Sequence, residues 1–409
     1  MHIPSVLLIG PCADSTDVGE AFTTWRWTHE LSQHVDITLL TYVKSGHFSA
    51  RESLPDVNVV EWQDLPIPGR FERLNAAAQP GYFLFFYSRA RRWIANAIRA
   101  GQHFDLAHQL SPLALRYPSP AAALGIPLIV GPLAGSLSTP PAFAPEVSSD
   151  PWFMRLRVFD RLRLRYDPLL RRTYESAEVV LGVAPYVRDV LADLEVREFV
   201  LESETGADPR SEHLERDFEA RPFRLLFVGR VVRTKGLRDA IRALARLRDL
   251  DVLLDVVGDG PDMENCRRES VSLGVQEKIV FHGRQERTAV GAFYAKANAF
   301  LFPSFREPSG NVVMEAMSWG LPMIVSDRGG PAHVVGPDAG IRVPARSPEE
   351  FATALADAVR RIVSTPALAR AQSKAALERI DKEHRWPAKI QRMLALYDRV
   401  ILGSSRTRS

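Results

Sequence analysis

Short apolar runs recur along this chain, and between them lie longer stretches whose apolar positions return at helical spacing. In the first half the runs predict strands over 5–10, 36–42, 57–62, 105–108, 127–130 and 178–182, with helices at 19–33 and 87–100 among the intervening segments. The rhythm restarts at 224–229 (RLLFVG) and continues through 252–258, 278–283, 299–302 and 322–326. Short strands alternating with helices predict parallel sheets covered by helices, since each crossover must pack back on its own sheet. Between the two series, residues 202–222 (ESETGADPRSEHLERDFEARP) are polar and charged without strand alternation. The expected fold class is therefore α/β, with two doubly wound, Rossmann-like domains facing across a cleft. Their expected bounds are 1–202 and 223–385, with a linker at 203–222. Residues 386–402 have a helical pattern, so 386–409 is expected to form a C-terminal helix packing back on the first domain, followed by a flexible tail.

Composition narrows the field without changing that picture. At 409 residues, two domains of roughly 200 residues are the physical expectation. A hydrophobic share of 46% and a charged share of 25% are those of an ordinary globular protein. The net charge of +3 leaves no electrostatic footprint for nucleic acid, and no basic motif with base-stacking spacing occurs. Cys12 and Cys266 lack paired spacing, which speaks against a disulfide framework or zinc site and fits a reducing compartment. The opening HIPSVLLIGP has no basic leader and reads as a first strand rather than a signal peptide. The densest apolar stretch, GYFLFFY at 81–87, falls far short of the roughly 18 residues that span a bilayer. A cytoplasmic protein, soluble or peripheral on the inner membrane face, is expected.

Candidate chemistry concentrates in the run FPSFREPSGNVVMEAMSWGLPMIVSD. Pro308 and Gly310 keep Glu307 in a loop, and Glu315 falls inside the helix that follows. Backbone N–H groups near Gly310, Asn311 and Val312 then open that helix, where unpaired donors and the macrodipole attract an anion. A phosphate flanked by two carboxylates suits a sugar nucleotide, one acid serving the ribose hydroxyls and the other the sugar hydroxyls.

Four strand-to-helix loops carry further candidates. In GRVVRTKGLRD, Arg230 at the strand end and Lys235 before the helix aim two positive charges at one spot, suited to a diphosphate. Alone that run reads as a solvated basic turn; its position upstream of the paired glutamates favours the anion site. GPCADSTDVGEAF places Gly19 before a helix, where backbone can approach a phosphate or sugar, but it lacks the GxGxxG fingerprint and alone is an ordinary turn. GDGPD at 258–262 reads as a tight turn facing the cleft, and GRQERTAV suits backbone groups or Arg284 near a nucleobase, with no base-specific code readable.

The C-terminal half resembles the retaining glycosyltransferases of family 4, which have the GT-B fold. The carrying residues are Gly229–Arg230, Lys235–Gly236, GDGP from Gly258, PSFREPSGNVVMEAM from Pro303 and GLPMIVSDRGG from Gly320. The resemblance implies that Glu307 contacts the donor sugar and Glu315 the ribose. It further implies that Arg230, Lys235 and the backbone of Gly310, Asn311 and Val312 bind the diphosphate. Gly19 matches the family's N-terminal glycine loop more loosely. One departure concerns a histidine that many members carry after the fifth strand of the first domain. Here the sequence is IVGPLAGS, with Gly131, Pro132 and Leu133. His108 is a substitute by position, although a histidine satisfied by neighbouring backbone is the commoner case.

The expected reaction is transfer of a hexose-type sugar from a nucleoside diphosphate sugar to an acceptor hydroxyl, with anomeric retention. No metal and no cofactor beyond the donor is expected; Asp249 and Asp251 sit in a charged turn rather than an Asp-x-Asp metal site. The expected partners are the nucleoside diphosphate sugar and a sugar or lipid-linked acceptor, but no nucleic acid. Two stretches mixing arginines with aromatics, from Gly81 and from Trp152, suit contact with an anionic membrane. Against that stands the plainer possibility that their apolar faces are core and their arginines solvated or paired. A sugar-nucleotide epimerase of the same architecture and a non-catalytic nucleotide-sugar-binding protein are the rival readings.

Overall fold

The computed structural model describes residues 3–17, 19–43, 48–63, 82–147, 159–208 and 214–408. The chain divides into two units: Met1–Ser136, Asp150–Thr205 and Lys389–Ser409 form the first, Leu137–Ser149 and Gly206–Ala388 the second.

The first unit holds a seven-stranded sheet. Its strands are β1 (Ser5–Ile9), β2 (Asp36–Val43), β3 (Asn58–Gln63), β4 (Leu106–Gln109), β5 (Leu128–Leu133), β6 (Val179–Gly182) and β7 (Phe199–Leu201). They lie in the order β3-β2-β1-β4-β5-β6-β7, all parallel. The second unit holds β8 (Phe223–Val228), β9 (Val252–Val257), β10 (Ile279–Gly283), β11 (Ala299–Phe302), β12 (Met323–Ser326) and β13 (Gly340–Val343). Their order is β10-β9-β8-β11-β12-β13, again parallel. Both sheets are doubly wound, as expected. Strands sandwiched between helix layers must be apolar on both faces, and Ala299–Phe302 is wholly buried throughout. Strand order reverses between β1 and β4 and between β8 and β11. Such switch points open a crevice at the carboxyl ends of the strands, and ligands of doubly wound sheets bind there.

Several boundaries differ from those expected. β7 and β13 were not anticipated, being edge strands of only three and four residues. β5 continues through Gly131, Pro132 and Leu133 instead of ending before them. Residues 203–222 are not a free linker. Ser203 and Glu204 are buried in the first unit, while Phe218 lies in the core of the second. Arg216 donates to the Tyr294 (2.8 Å) and Trp319 (2.7 Å) carbonyls. Polarity concealed burial there, because these polar groups are satisfied internally. The segment Leu137–Ser149 belongs to the second unit and inserts Phe143 between Phe305 and Phe351.

The helix Trp386–Arg408 counts with the first unit from Lys389 onward. The Lys389 ammonium is fully buried and donates to Glu202 Oε1 (2.5 Å), the Ser203 carbonyl (2.7 Å) and Ser203 Oγ (2.8 Å). Of the arginine–aromatic stretches, Gly81 and residues 152–158 lie outside the described residues. In the first stretch Tyr82, Phe86, Ala90 and Ile94 pack into the core, and Arg91 donates to the Pro120 and Ala122 carbonyls. Its aromatic face is therefore core. The second stretch differs: its helices Phe159–Tyr166 and Pro168–Ser176 leave Leu162, Tyr166 and Leu169 exposed. No helix among the described residues is long and apolar enough to cross a membrane.

Candidate functional site

Two loops meet at the switch point of the second unit: one follows β8, the other β11. The β8 loop runs through Gly229 and Arg230 to a short 3-10 turn, Arg233–Lys235. Gly236 ends that turn at φ 77°, and a side chain there would strike the Pro303 carbonyl of the β11 loop. Only glycine permits both the left-handed backbone and this close approach. Hydrogen bonds from the Phe305 amide (3.1 Å) and the Ser304 hydroxyl (3.0 Å) to the Thr234 carbonyl fasten the two loops together.

The neighbouring strand ends buttress this pair. The GDGPD turn packs against the β8 loop. The Val231 amide donates to the Asp259 carbonyl (2.9 Å), and the Asp262 amide donates back to the Val231 carbonyl (3.1 Å). Behind the β11 loop, Gly330 donates to the Glu307 carbonyl (3.1 Å) and Arg328 donates to the Phe305 carbonyl (3.2 Å). The DRGG sequence is thus a backstop for the loop that carries Glu307.

Glu307 lies in this loop, and the helix Asn311–Ser318 follows, opened by Gly310 at φ 87° with no side-chain cap. A Cβ on Gly310 would sit 3.0 Å from the Pro331 nitrogen, so the helix start is pressed against the DRGG turn. Val313 and Met314 donate to the Gly310 carbonyl, while the amides of Asn311 and Val312 belong to the first turn, where intrahelical acceptors are lacking.

The electrostatics single out Lys235. Its Nζ contacts Glu307 Oε2, and the Phe302 ring centroid lies 5.4 Å away. Burial, then the guanidinium groups of Arg230 and Arg306, lower its ammonium to about 8. Lys235 and Glu307 are thus in direct contact in the loop that leads into the helix, and the Arg230 charge acts on the same ammonium. Glu315, exposed on that helix, accepts from the Tyr294 hydroxyl at 3.2 Å. Crowding by surrounding protein raises its carboxyl, while Tyr294 and Arg287 oppose the rise.

Arg233, in the same loop, is a residue that sequence reasoning passed over. It is buried, paired with Asp239 through two bonds (2.6 and 2.9 Å) and with Glu146 at 2.7 Å. Its guanidinium also lies over the rings of Phe143 and Phe305. Three cations in R-x-x-R-x-K therefore divide into one structural residue and two at the candidate site.

The remaining candidates belong to other elements. Arg284 is exposed on the turn after β10, two strands from β8. Gly19 caps the helix Glu20–Ser32 in the first unit at φ 71°. His108 does not replace the absent histidine. It is wholly buried, with Nε2 2.7 Å from the Gly131 carbonyl and Nδ1 2.6 Å from the Tyr397 hydroxyl. A carbonyl can only accept, so Nε2 carries the proton and Nδ1 accepts from Tyr397. Burial pushes the imidazole down to about 4. Both nitrogens are engaged within the fold.

Comparisons with known proteins bear on the fold. The chain is similar in fold to a solved structure of the Anabaena protein HepE in complex with UDP and glucose. The TM-score is 0.63, with 15% identity over 97% of this chain and all of that one. Two Rossmann-like sheets of this kind constitute the GT-B fold. Residues 211–379 match the family model described as glycosyl transferases group 1. The chain is 33% identical over 168 residues to the glycogen synthase of Mycobacterium tuberculosis, covering 40% of each chain. It is 31% identical over 245 residues to the 2-deoxystreptamine glucosyltransferase of Streptomyces kanamyceticus, covering 58% of this chain and 61% of that one. The chain thus spans less than two thirds of these relatives.

Proposed function

We propose that the chain is a retaining, family 4 glycosyltransferase that moves a hexose-type sugar from a nucleoside diphosphate sugar to an acceptor hydroxyl. Its product would belong to a polysaccharide, glycolipid or other glycoconjugate. The observation that carries this is the contact of Lys235 with Glu307, in the loop that leads into the helix Asn311–Ser318, with the Arg230 charge acting on the same ammonium. The sugar-transferring relatives and the UDP and glucose in HepE support it.

In this reading Arg230, Lys235 and the amides at the helix start hold the diphosphate, doing by side chain and dipole what a divalent ion does elsewhere. The bond from the anomeric carbon to the diphosphate oxygen breaks, and its electron pair goes to that oxygen. The acceptor oxygen bonds to the same carbon, and its proton passes to the departing phosphate. Glu307 orients the sugar and Glu315 the ribose. The first unit binds the acceptor. Peripheral contact with anionic membrane on the cytoplasmic face falls to Leu162, Tyr166 and Leu169 with the exposed Arg165 and Arg172 beside them.

A thermal-shift screen of UDP, GDP, ADP and TDP sugars tests the donor assignment, because a ligand bound only by the folded state raises its stability. One nucleotide series should stabilise the wild type but not Lys235→Ala. The anomeric configuration of the product, read by proton NMR, tests retention. Stabilisation by none of the four series defeats the assignment.

A further inference from the structure

We infer that Tyr294 is a positioning residue of the ribose subsite, holding Glu315 in the pose that accepts the ribose hydroxyls, an assignment that rests on the sugar-transfer reading above. The Tyr294 hydroxyl donates to Glu315 Oε2 at 3.2 Å. A carboxylate can accept from about four donors, so this one bond leaves it capacity for a ligand. Tyr294 is itself fixed. It is only 3% exposed, and its ring centroid lies 6.0 Å from that of Phe300 and 6.1 Å from that of Trp319. Gly291, one turn earlier in the helix Arg287–Lys296, admits the Trp319 ring, since a Cβ there would lie 3.1 Å from Trp319 Cζ2. Arg216 staples the ends of the two helices together, donating to the Tyr294 carbonyl at 2.8 Å and the Trp319 carbonyl at 2.7 Å. Donor and acceptor therefore stand on helices locked to each other.

A glutamate side chain has three rotatable bonds to freeze when it grips a ligand, and a fixed donor freezes them beforehand. The hydroxyl also favours the useful charge state. Burial drives the Glu315 carboxyl upward, toward the neutral form, and the Tyr294 hydrogen bond opposes that rise. Burial holds the phenol well above its ordinary value, so it stays a donor. An ionised carboxylate suits a vicinal diol, because the hydroxyls donate and the carboxylate only accepts. The placement along the helix fits as well. Glu315 lies one turn after Asn311, about 6 Å along the axis from the helix start proposed to hold the diphosphate. Residues four apart share a helix face, and in a nucleotide the ribose is the next group after the phosphates.

The test measures binding of UDP, GDP, ADP and TDP to the full chain by calorimetry, each beside the 2′,3′-dideoxy diphosphate of the same base. Wild type should bind one parent nucleotide more tightly than its dideoxy analogue. Tyr294→Phe keeps the ring and should cut that preference about fivefold, the order of one hydrogen bond, with affinity for the analogue unchanged. Both ligands are measured on the same sample, so a partly unfolded variant still reports the ratio. Glu315→Ala should remove the preference, and Tyr294→Phe added to it should change nothing further. In turnover, Tyr294→Phe should raise KM for the donor with kcat near wild type, because the ribose is held alike before and during transfer. A role in packing alone would weaken parent and analogue equally; that result overturns the assignment, as does an unchanged preference. A wild type that binds a nucleotide without regard to its ribose hydroxyls overturns the assignment and leaves the sugar-transfer reading standing. Failure of wild type to bind any of the four overturns that reading too.

Discussion

Lys235 and Glu307 contact each other from loops that follow the adjacent strands β8 and β11. Neither loop could hold its charge alone. Gly236, Thr234 and Ser304 bind the loops to each other, and the GDGP and DRGG turns close them from behind. The contact thus sits on the ends of rigid strands, where a displacement of one loop carries the other with it.

Replacing Lys235 or Glu307 by alanine should lower sugar transfer by orders of magnitude with the fold retained, as checked by circular dichroism beside a turnover assay. The pH dependence is more discriminating. The ligand-free ammonium titrates near about 8, below its ordinary 10.5. Only its charged form holds a diphosphate, so nucleotide affinity should fall as pH rises through that value. Binding near that pH should also take up a proton, measurable by calorimetry in buffers of different ionisation enthalpy. A flat profile between pH 7 and 9, on a scale of about two units set by the ordinary lysine range, would exclude Lys235 as the anion's partner.

Gly236→Ala should separate loop geometry from mere glycine flexibility. A left-handed alanine costs about 1–2 kcal/mol, and here the added methyl also meets the Pro303 carbonyl. Gly274 has a similar φ of 63° but no close backbone neighbour. Gly274→Ala should therefore cost only the backbone term. Comparable unfolding midpoints for the two variants would mean that the β8 and β11 loops are not locked at Gly236.

Much of this was legible before any coordinates. Ala299–Phe302 is apolar at every position, so a strand buried on both faces was evident, and Pro308 with Gly310 forced Glu307 into a loop. Burial of polar residues was not legible. Arg230, Arg233 and Lys235 look alike in sequence, and only the pairing of Arg233 with Asp239 and Glu146 sets it apart. Residues 137–147, LSTPPAFAPEV, hold a single phenylalanine, which has no periodicity to announce its burial. The Glu202–Lys389 pair leaves no local pattern, because its partners are distant in sequence.

The Glu202–Lys389 pair should be a strong determinant of the first unit's stability. Removing the carboxylate in Glu202→Ala strands a fully buried ammonium and leaves Arg392 without its 3.0 Å partner. Breaking one side of a buried pair costs about 3–5 kcal/mol. The double variant Glu202→Leu, Lys389→Met removes both charges and should lose less than Glu202→Ala alone. Chemical unfolding followed by the fluorescence of Trp27, which lies 4.8 Å from the Lys389 ammonium, would register the difference. The order reversed would show that the pair's hydrogen bonds outweigh its desolvation.

His108 should set part of the acid limit of the fold. Burial holds the imidazole at about 4, against an ordinary value of 6.5 for the unfolded chain. Between those two values the unfolded state binds the extra proton, so stability falls as pH drops through the window and the loss is complete below it. The interval corresponds to about 3 kcal/mol. Glutamine in place of His108 can still donate to the Gly131 carbonyl but does not titrate. His108→Gln should therefore start less stable near neutrality, where the Tyr397 contact is weakened, and lose less on acidification. Urea midpoints across that window measure both effects. An unaltered pH slope in the variant would place the acid sensitivity in other groups and leave the Tyr397–His108–Gly131 chain a purely packing feature.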